Sequence, residues 1–179
     1  MIFLALALQA ADTPMDTRYK ACLDLATSNP EAARNEAERF RLAGGGAQAR
    51  QCLGLAYAQE ERWRDAAIAF EAAAQEATAA KDPLAWLLSA TLARRTKDLP
   101  RAQSDIAQAL KLSADDASVQ LEAGNIAALA GNADAARTAW EAAVKIAPTS
   151  PAGQNARAAL GQFDAPPPAA TPTPAPPAK

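Results

Sequence analysis

What most constrains the fold of this chain is a short pattern that returns at a fixed spacing. Residues 62–74, RWRDAAIAFEAAA, are echoed by 132–148, NADAARTAWEAAVKIAP: a polar start, an alanine pair, a lone aromatic, then more alanine. Ala66-x3-Phe70 and Ala136-x3-Trp140 stand 70 residues apart, which is two units of about 35. A third copy, Ala102-x3-Ile106, falls between them, and a degenerate one, Ala33-x3-Ala37, lies 33 residues before Ala66. Upstream of each copy is a second periodic segment: Leu53-Gly54-x2-Tyr57, Trp86-x2-Ser89-Ala90-x2-Ala93 and Ala123-Gly124-x2-Ala127. Steps of three and four residues put these side chains on one stripe of a helix, so each unit reads as a helical hairpin. A lone hairpin cannot bury both of its faces; a chain of them must stack.

Local signals agree with that period. Thr13-Pro14-Met15-Asp16 supplies an N-cap, a proline in the first turn and an acidic residue behind it, and Asp82-Pro83 repeats the cap and proline. Gly44-Gly45-Gly46 breaks the chain, and Gly131-Asn132 turns it inside the last hairpin. The pattern predicts helices near 15–27, 30–42, 47–60, 63–79, 83–95, 99–112, 116–130 and 133–146, with a ninth near 152–162. Half of the residues are hydrophobic but only 5% are aromatic, because much of the apolar content is alanine. Alanine has the best helix propensity and little bulk, which favours close-packed helices, and no sheet is expected.

The run W-x2-L-G-x2-Y, A-x3-F, P over 34 residues resembles the tetratricopeptide repeat. Residues 47–82 match at Leu53, Gly54, Tyr57, Ala66 and Phe70, with Arg50 in the tryptophan place. Residues 83–116 match at Trp86, Ala102 and Ile106 but carry Ser89, Ala90 and Ala93 at the Leu, Gly and Tyr places. Residues 117–150 match at Gly124, Ala136, Trp140 and Pro148, with Gln120 and Ala127 departing. The resemblance implies an all-α, right-handed solenoid: a degenerate first repeat over 12–46, three repeats over 47–82, 83–116 and 117–150, and a capping helix over 151–163. The remainder, 164–179, is Pro- and Ala-rich and is expected to be a disordered spacer.

Composition excludes several classes of function. Lys+Arg number 18 against 20 Asp+Glu, spread along the chain, so no broad positive field exists to draw a nucleic acid. The absence of histidine removes the usual general base and the commonest metal ligand, and two cysteines cannot close a zinc site; no cofactor is expected. Adjacent carboxylates such as Glu60-Glu61 and Asp115-Asp116 diverge on a helix, and Ser89, Ser104 and Ser118 have no histidine to activate them, so the chain is not read as an enzyme. No stretch is long enough for an integral membrane span. Residues 1–11, with an apolar run from Ile2 to Leu8 followed by Ala10 and Ala11, read as an export leader shortened at its start, which places the protein in a bacterial periplasm; a loose apolar stub on a cytoplasmic protein is the alternative.

In tetratricopeptide stacks the first helix of each hairpin lines the concave face, where a peptide or protein partner docks. If Trp86, Ala90 and Ala93 face the second helix, then Leu87, Thr91, Arg94 and Arg95 turn to the other side, and the same step adds Gln48, Gln51, Leu55, Leu121 and Asn125. The expected surface is an apolar strip flanked by amides and two guanidinium groups, suited to a peptide carrying an acidic group. Consecutive first helices lie side by side in such a stack, which brings Cys22 within reach of Cys52; a disulfide and two buried thiols are both open. The functional expectation is a non-enzymatic protein- or peptide-binding scaffold of the cell envelope, the alternative being a self-assembling structural component acting through its Pro-rich tail.

Overall fold

The structure, a computed structural model, describes residues 13–77 and 83–164. The leader expected over 1–11, the cap at Asp82 and all but the first residue of the tail lie outside these residues. The described residues form nine helices and no strand: α1 (Pro14–Ser28), α2 (Pro30–Leu42), α3 (Gly46–Gln59), α4 (Trp63–Glu76), α5 (Pro83–Arg95), α6 (Leu99–Leu112), α7 (Ala117–Leu129), α8 (Ala133–Ile146) and α9 (Pro151–Phe163). Thr13 and Asp16 close a capping box on α1, and the side chains of Asn29, Asp98, Asp116, Asn132 and Ser150 accept from the first turns of α2, α6, α7, α8 and α9. α4 stops at Glu76, short of the expected 79, with Ala77 as its C-cap. The Ala-rich sequence there carries no local stop signal, so this end was not legible.

The three full hairpins turn in the same way. Glu61, Lys97 and Gly131 each take a left-handed backbone (φ 58°, 62° and 79°) one residue before the N-cap of the next helix. The following N–H then reaches back five residues, Arg62 to Tyr57 O, Asp98 to Ala93 O and Asn132 to Ala127 O, each at 2.9 Å. The first hairpin does without this turn: Asn29 alone is both C-cap of α1 and N-cap of α2.

Within a hairpin the two helices cross where a small residue meets a large one. A Cβ placed on Gly54 would lie 2.8 Å from the Phe70 ring, and one on Gly124 would collide with the Trp140 indole. In the hairpin of α5 and α6, Ala90 and Ile106 share one buried cluster. Buried residues form separate clusters at successive hairpins rather than a single core, as expected of a quasi-one-dimensional stack. α9 lies on the last hairpin: Phe163 meets Trp140 edge to face, ring centroids 5.4 Å apart, and Asp164 pairs with Arg137.

Cross-links also join first helices to one another. Cys22 of α1 and Cys52 of α3 are joined as a disulfide, with Cα atoms 5.9 Å apart, inside a cluster of Ala26, Ala33, Ala37 and Ala56. Farther along, Arg94 of α5 donates to Glu122 of α7 at 2.6 Å. Cys52 and Glu122 occupy the same place in their repeats, 70 residues apart, so a covalent and an ionic link serve equivalent junctions.

Candidate binding surface

The face lined by α1, α3, α5, α7 and α9 carries two hollows. The smaller, about 130 Å³, has Gln51 and Leu55 of α3 among Tyr19, Leu23, Leu84 and Leu88. The larger, about 590 Å³, is bounded by Arg94 of α5, Asn125 and Leu129 of α7, Trp140 of α8, and Gln162 and Phe163 of α9. Its apolar part is open to solvent: Leu129 is 49% and Phe163 40% exposed. Its polar part is held in place. Asn125 Oδ1 accepts from Trp140 Nε1 (3.1 Å), and Asn125 Nδ2 donates to Glu122 Oε2 (3.2 Å), whose other oxygen accepts from Arg94 Nε. The chain indole, amide, carboxylate, guanidinium is therefore pre-organised, and the guanidinium faces the hollow with its charge partly balanced by the buried Glu122.

The residues expected on this face are thus dispersed. Arg94 and Asn125 come together at the larger hollow, and Gln51 and Leu55 at the smaller. Gln48 donates to Asp16 at 3.1 Å, lowering the Asp16 carboxyl together with the larger effect of the Thr13 hydroxyl. Thr91 donates back to Leu87 O within α5, Leu87 packs on the α5–α7 cluster, and Leu121 packs beside Ala136 and Trp140. Arg95 stacks over Trp63, 4.1 Å from the ring centroid, so its guanidinium is engaged on α4 rather than paired with that of Arg94. Sequence reasoning missed Glu122, Leu129, Trp140, Gln162 and Phe163. Trp140, a repeat-motif position, is core at 4% exposure; that one edge of it also walls a hollow depends on where α9 stops.

A third hollow, about 510 Å³, lies between α6 and α8 with α7 as its floor, lined by Ile106, Leu110, Ala123, Ile126, Ala127 and Ala139 among others. The matching place on α3 and α4 is partly filled by Leu53, Tyr57 and Ile68 and holds about 220 Å³. Among the described residues no group of three or more His, Cys, Asp or Glu could hold a metal ion, and no helix is long and apolar enough to cross a membrane.

No family model and no curated protein matches the sequence. Solved structures do share the fold. YrrB, described as a TPR protein with an unusual peptide-binding site, is 20% identical with a TM-score of 0.64 over 82% of this chain and 77% of that one. MamA is 15% identical, TM-score 0.64, over 86% and 88%. The first TPR of Spaghetti (RPAP3), bound to the HSP90 peptide SRMEEVD, is 16% identical, TM-score 0.57, over 65% and 90%. The chain therefore has the fold of a tetratricopeptide-repeat solenoid.

Proposed function

We propose that this chain is a non-catalytic scaffold that captures a peptide segment of a partner protein on the face lined by its first helices, at the hollow between α5, α7 and α9. The observation that carries this reading is the make-up of that hollow: exposed Leu129 and Phe163 beside Arg94, Asn125 and Gln162, with Arg94 and Asn125 fixed by Glu122 and Trp140. An apolar anchor flanked by an amide- or carbonyl-bearing segment matches such walls. The similarity to solved tetratricopeptide structures, two of which are described with a bound or bindable peptide, supports it. The cell envelope is the proposed setting; the apolar segment from Ile2 to Leu8 and the Cys22–Cys52 link support it, since disulfides persist in oxidising compartments.

The test is selection of binders from a random peptide library on the full-length protein, followed by calorimetry with the best peptide. Leu129→Asp combined with Gln162→Ala is expected to weaken binding by tenfold or more, roughly 1.4 kcal/mol or above, with unchanged helicity. Unchanged affinity in that folded variant moves the site elsewhere. Light scattering on the same sample addresses the self-assembly alternative, which requires a stable oligomer without peptide.

A further inference from the structure

Ser89 and Asp105 sit where α4, α5 and α6 meet, 0% and 1% exposed. Ser89 Oγ is 2.5 Å from Asp105 Oδ2 and 3.0 Å from the backbone oxygen of Ala67 on α4. A serine hydroxyl has one hydrogen, and the Ala67 carbonyl has none to offer. Both separations are full hydrogen bonds only when Asp105 carries a proton: its O–H donates to Ser89 Oγ, and Ser89 O–H donates to Ala67 O. We propose that this three-member chain is a proton-operated latch between the second and third repeats, closed when Asp105 is protonated and loosened when it is not.

The pair is specific to this junction. The places of Ser89 and Asp105 are held by Leu53 and Ala69 in the preceding repeat and by Ala123 and Ala139 in the following one. At those junctions the same positions are apolar and carry no titratable group. Asp105 lines none of the described hollows, so it has no evident access to a ligand.

The charges facing Asp105 are Glu71 from α4, and Arg101 and Asp98 from α6 and its cap; α5 contributes the Ser89 hydroxyl. Arg101 is already shared between two other carboxylates, with Nη1 3.0 Å from Glu71 Oε2 and Nε 3.5 Å from Asp98 Oδ2. Its Nη1 is buried and not aligned to donate a hydrogen bond, although it is close enough to pair ionically. Burial is the largest influence and pushes the Asp105 carboxyl up to about 6; the Ser89 hydroxyl and Arg101 pull the other way, and Glu71 and Asp98 add to the rise. Once Asp105 ionises, the single Ser89 hydrogen can serve the carboxylate or Ala67 O but not both, and one tie between α4, α5 and α6 is lost around a buried charge.

The direction of the pH effect follows. The folded value, about 6, lies above the unfolded value of 3.8, so between them the folded state holds a proton that the unfolded chain has released. This contribution to stability is fully present below pH 3.8 and is lost as pH rises through about 6. Asp16, Glu36, Glu38 and Asp164, whose carboxyls are held below their ordinary values, act in the opposite sense and in a lower window, as pH falls through those lowered values. The chain has no histidine to titrate over the range that concerns Asp105.

Urea unfolding of the full-length, disulfide-intact protein between pH 4.5 and 7.5 tests the latch. The folding equilibrium constant of the wild type is expected to fall by roughly 25-fold over this window, the part above pH 4.5 of the roughly 100-fold that a two-unit displacement sets over the full range. Asp105→Asn, whose amide donates to Ser89 at any pH, should remove that fall, and α5 amides should exchange more slowly in it than in the wild type at pH 7.5. A wild type with flat stability across this range, or an Asn variant that keeps the full slope, overturns the proposal. Should the variant not fold, carbon-detected NMR titration of Asp105 in the wild type decides the matter: a midpoint near 6 supports the latch and one near 4 overturns it.

Discussion

Gly124 and Gly161 are both glycines inside helices, and the structure gives them opposite roles. A Cβ on Gly124 would press into the Trp140 indole, 2.9 Å from Cε2, and that ring is wedged against Asn125 by its own hydrogen bond. Nothing lies within 4 Å of a Cβ on Gly161. Gly124→Ala is therefore expected to destabilise by about 1–3 kcal/mol through overpacking, whereas Gly161→Ala should stabilise by about 0.5–1 kcal/mol by restricting the unfolded chain. Chemical denaturation of the two variants checks both signs; a shared sign would contradict the crossing geometry. The repeat pattern includes Gly124 and leaves Gly161 outside it, but that the Trp140 ring fills the space at Gly124 while nothing faces Gly161 is visible only in the fold. In the same way Arg94 was found as a basic residue on an open face, while its partner Glu122, 28 residues away, was not. Side-chain pairs within one helix follow from spacing, but pairs between repeats depend on how the hairpins are rotated on each other.

At the scale of elements, the start of α1 was legible because Thr13-Pro14 marks it, while the caps at Asp98 and Ser150 emerge from the fold. The unmarked C-terminus of α4 was misjudged by three residues. Two tethers hold the ends of the stack. The first hairpin lacks the left-handed turn of the others and is tied by the Cys22–Cys52 bridge, with 30 residues of separation. In the loop-entropy account such a bridge is worth about 3–4 kcal/mol. Cys22→Ser with Cys52→Ser is expected to lose an amount of that order, with amide exchange rising first in α1 and α2. Uniform loss of protection across all helices would show that the first hairpin is not separately tethered. At the other end α9 covers Trp140. In a Trp63→Phe, Trp86→Phe background, ending the chain after Thr149 should shift Trp140 emission to the red and lower the melting temperature, and unchanged emission would mean that α9 does not shield the ring.

For the whole molecule, the repeat of about 35 residues was enough to infer a stack, because period, small-to-large crossing residues and caps all point to the same architecture. The candidate face was only partly legible. Helical spacing identified which side of α5 and α7 turns outward, hence Arg94 and Asn125, but the hollow they share also depends on α9, which contributes Gln162 and Phe163 from outside the repeats. Leu87 and Leu121, read as parts of an apolar strip, are instead packed on neighbouring helices. Docking of a peptide on the face of the first helices, at this C-terminal hollow, is tested by amide hydrogen exchange of the full-length protein with and without a selected peptide. New protection is expected only in α5, α7 and α9, around Arg94, Leu129 and Phe163; protection centred on α6 and α8, in the groove of Ile106 and Ala139, would place the peptide elsewhere and overturn the proposed site.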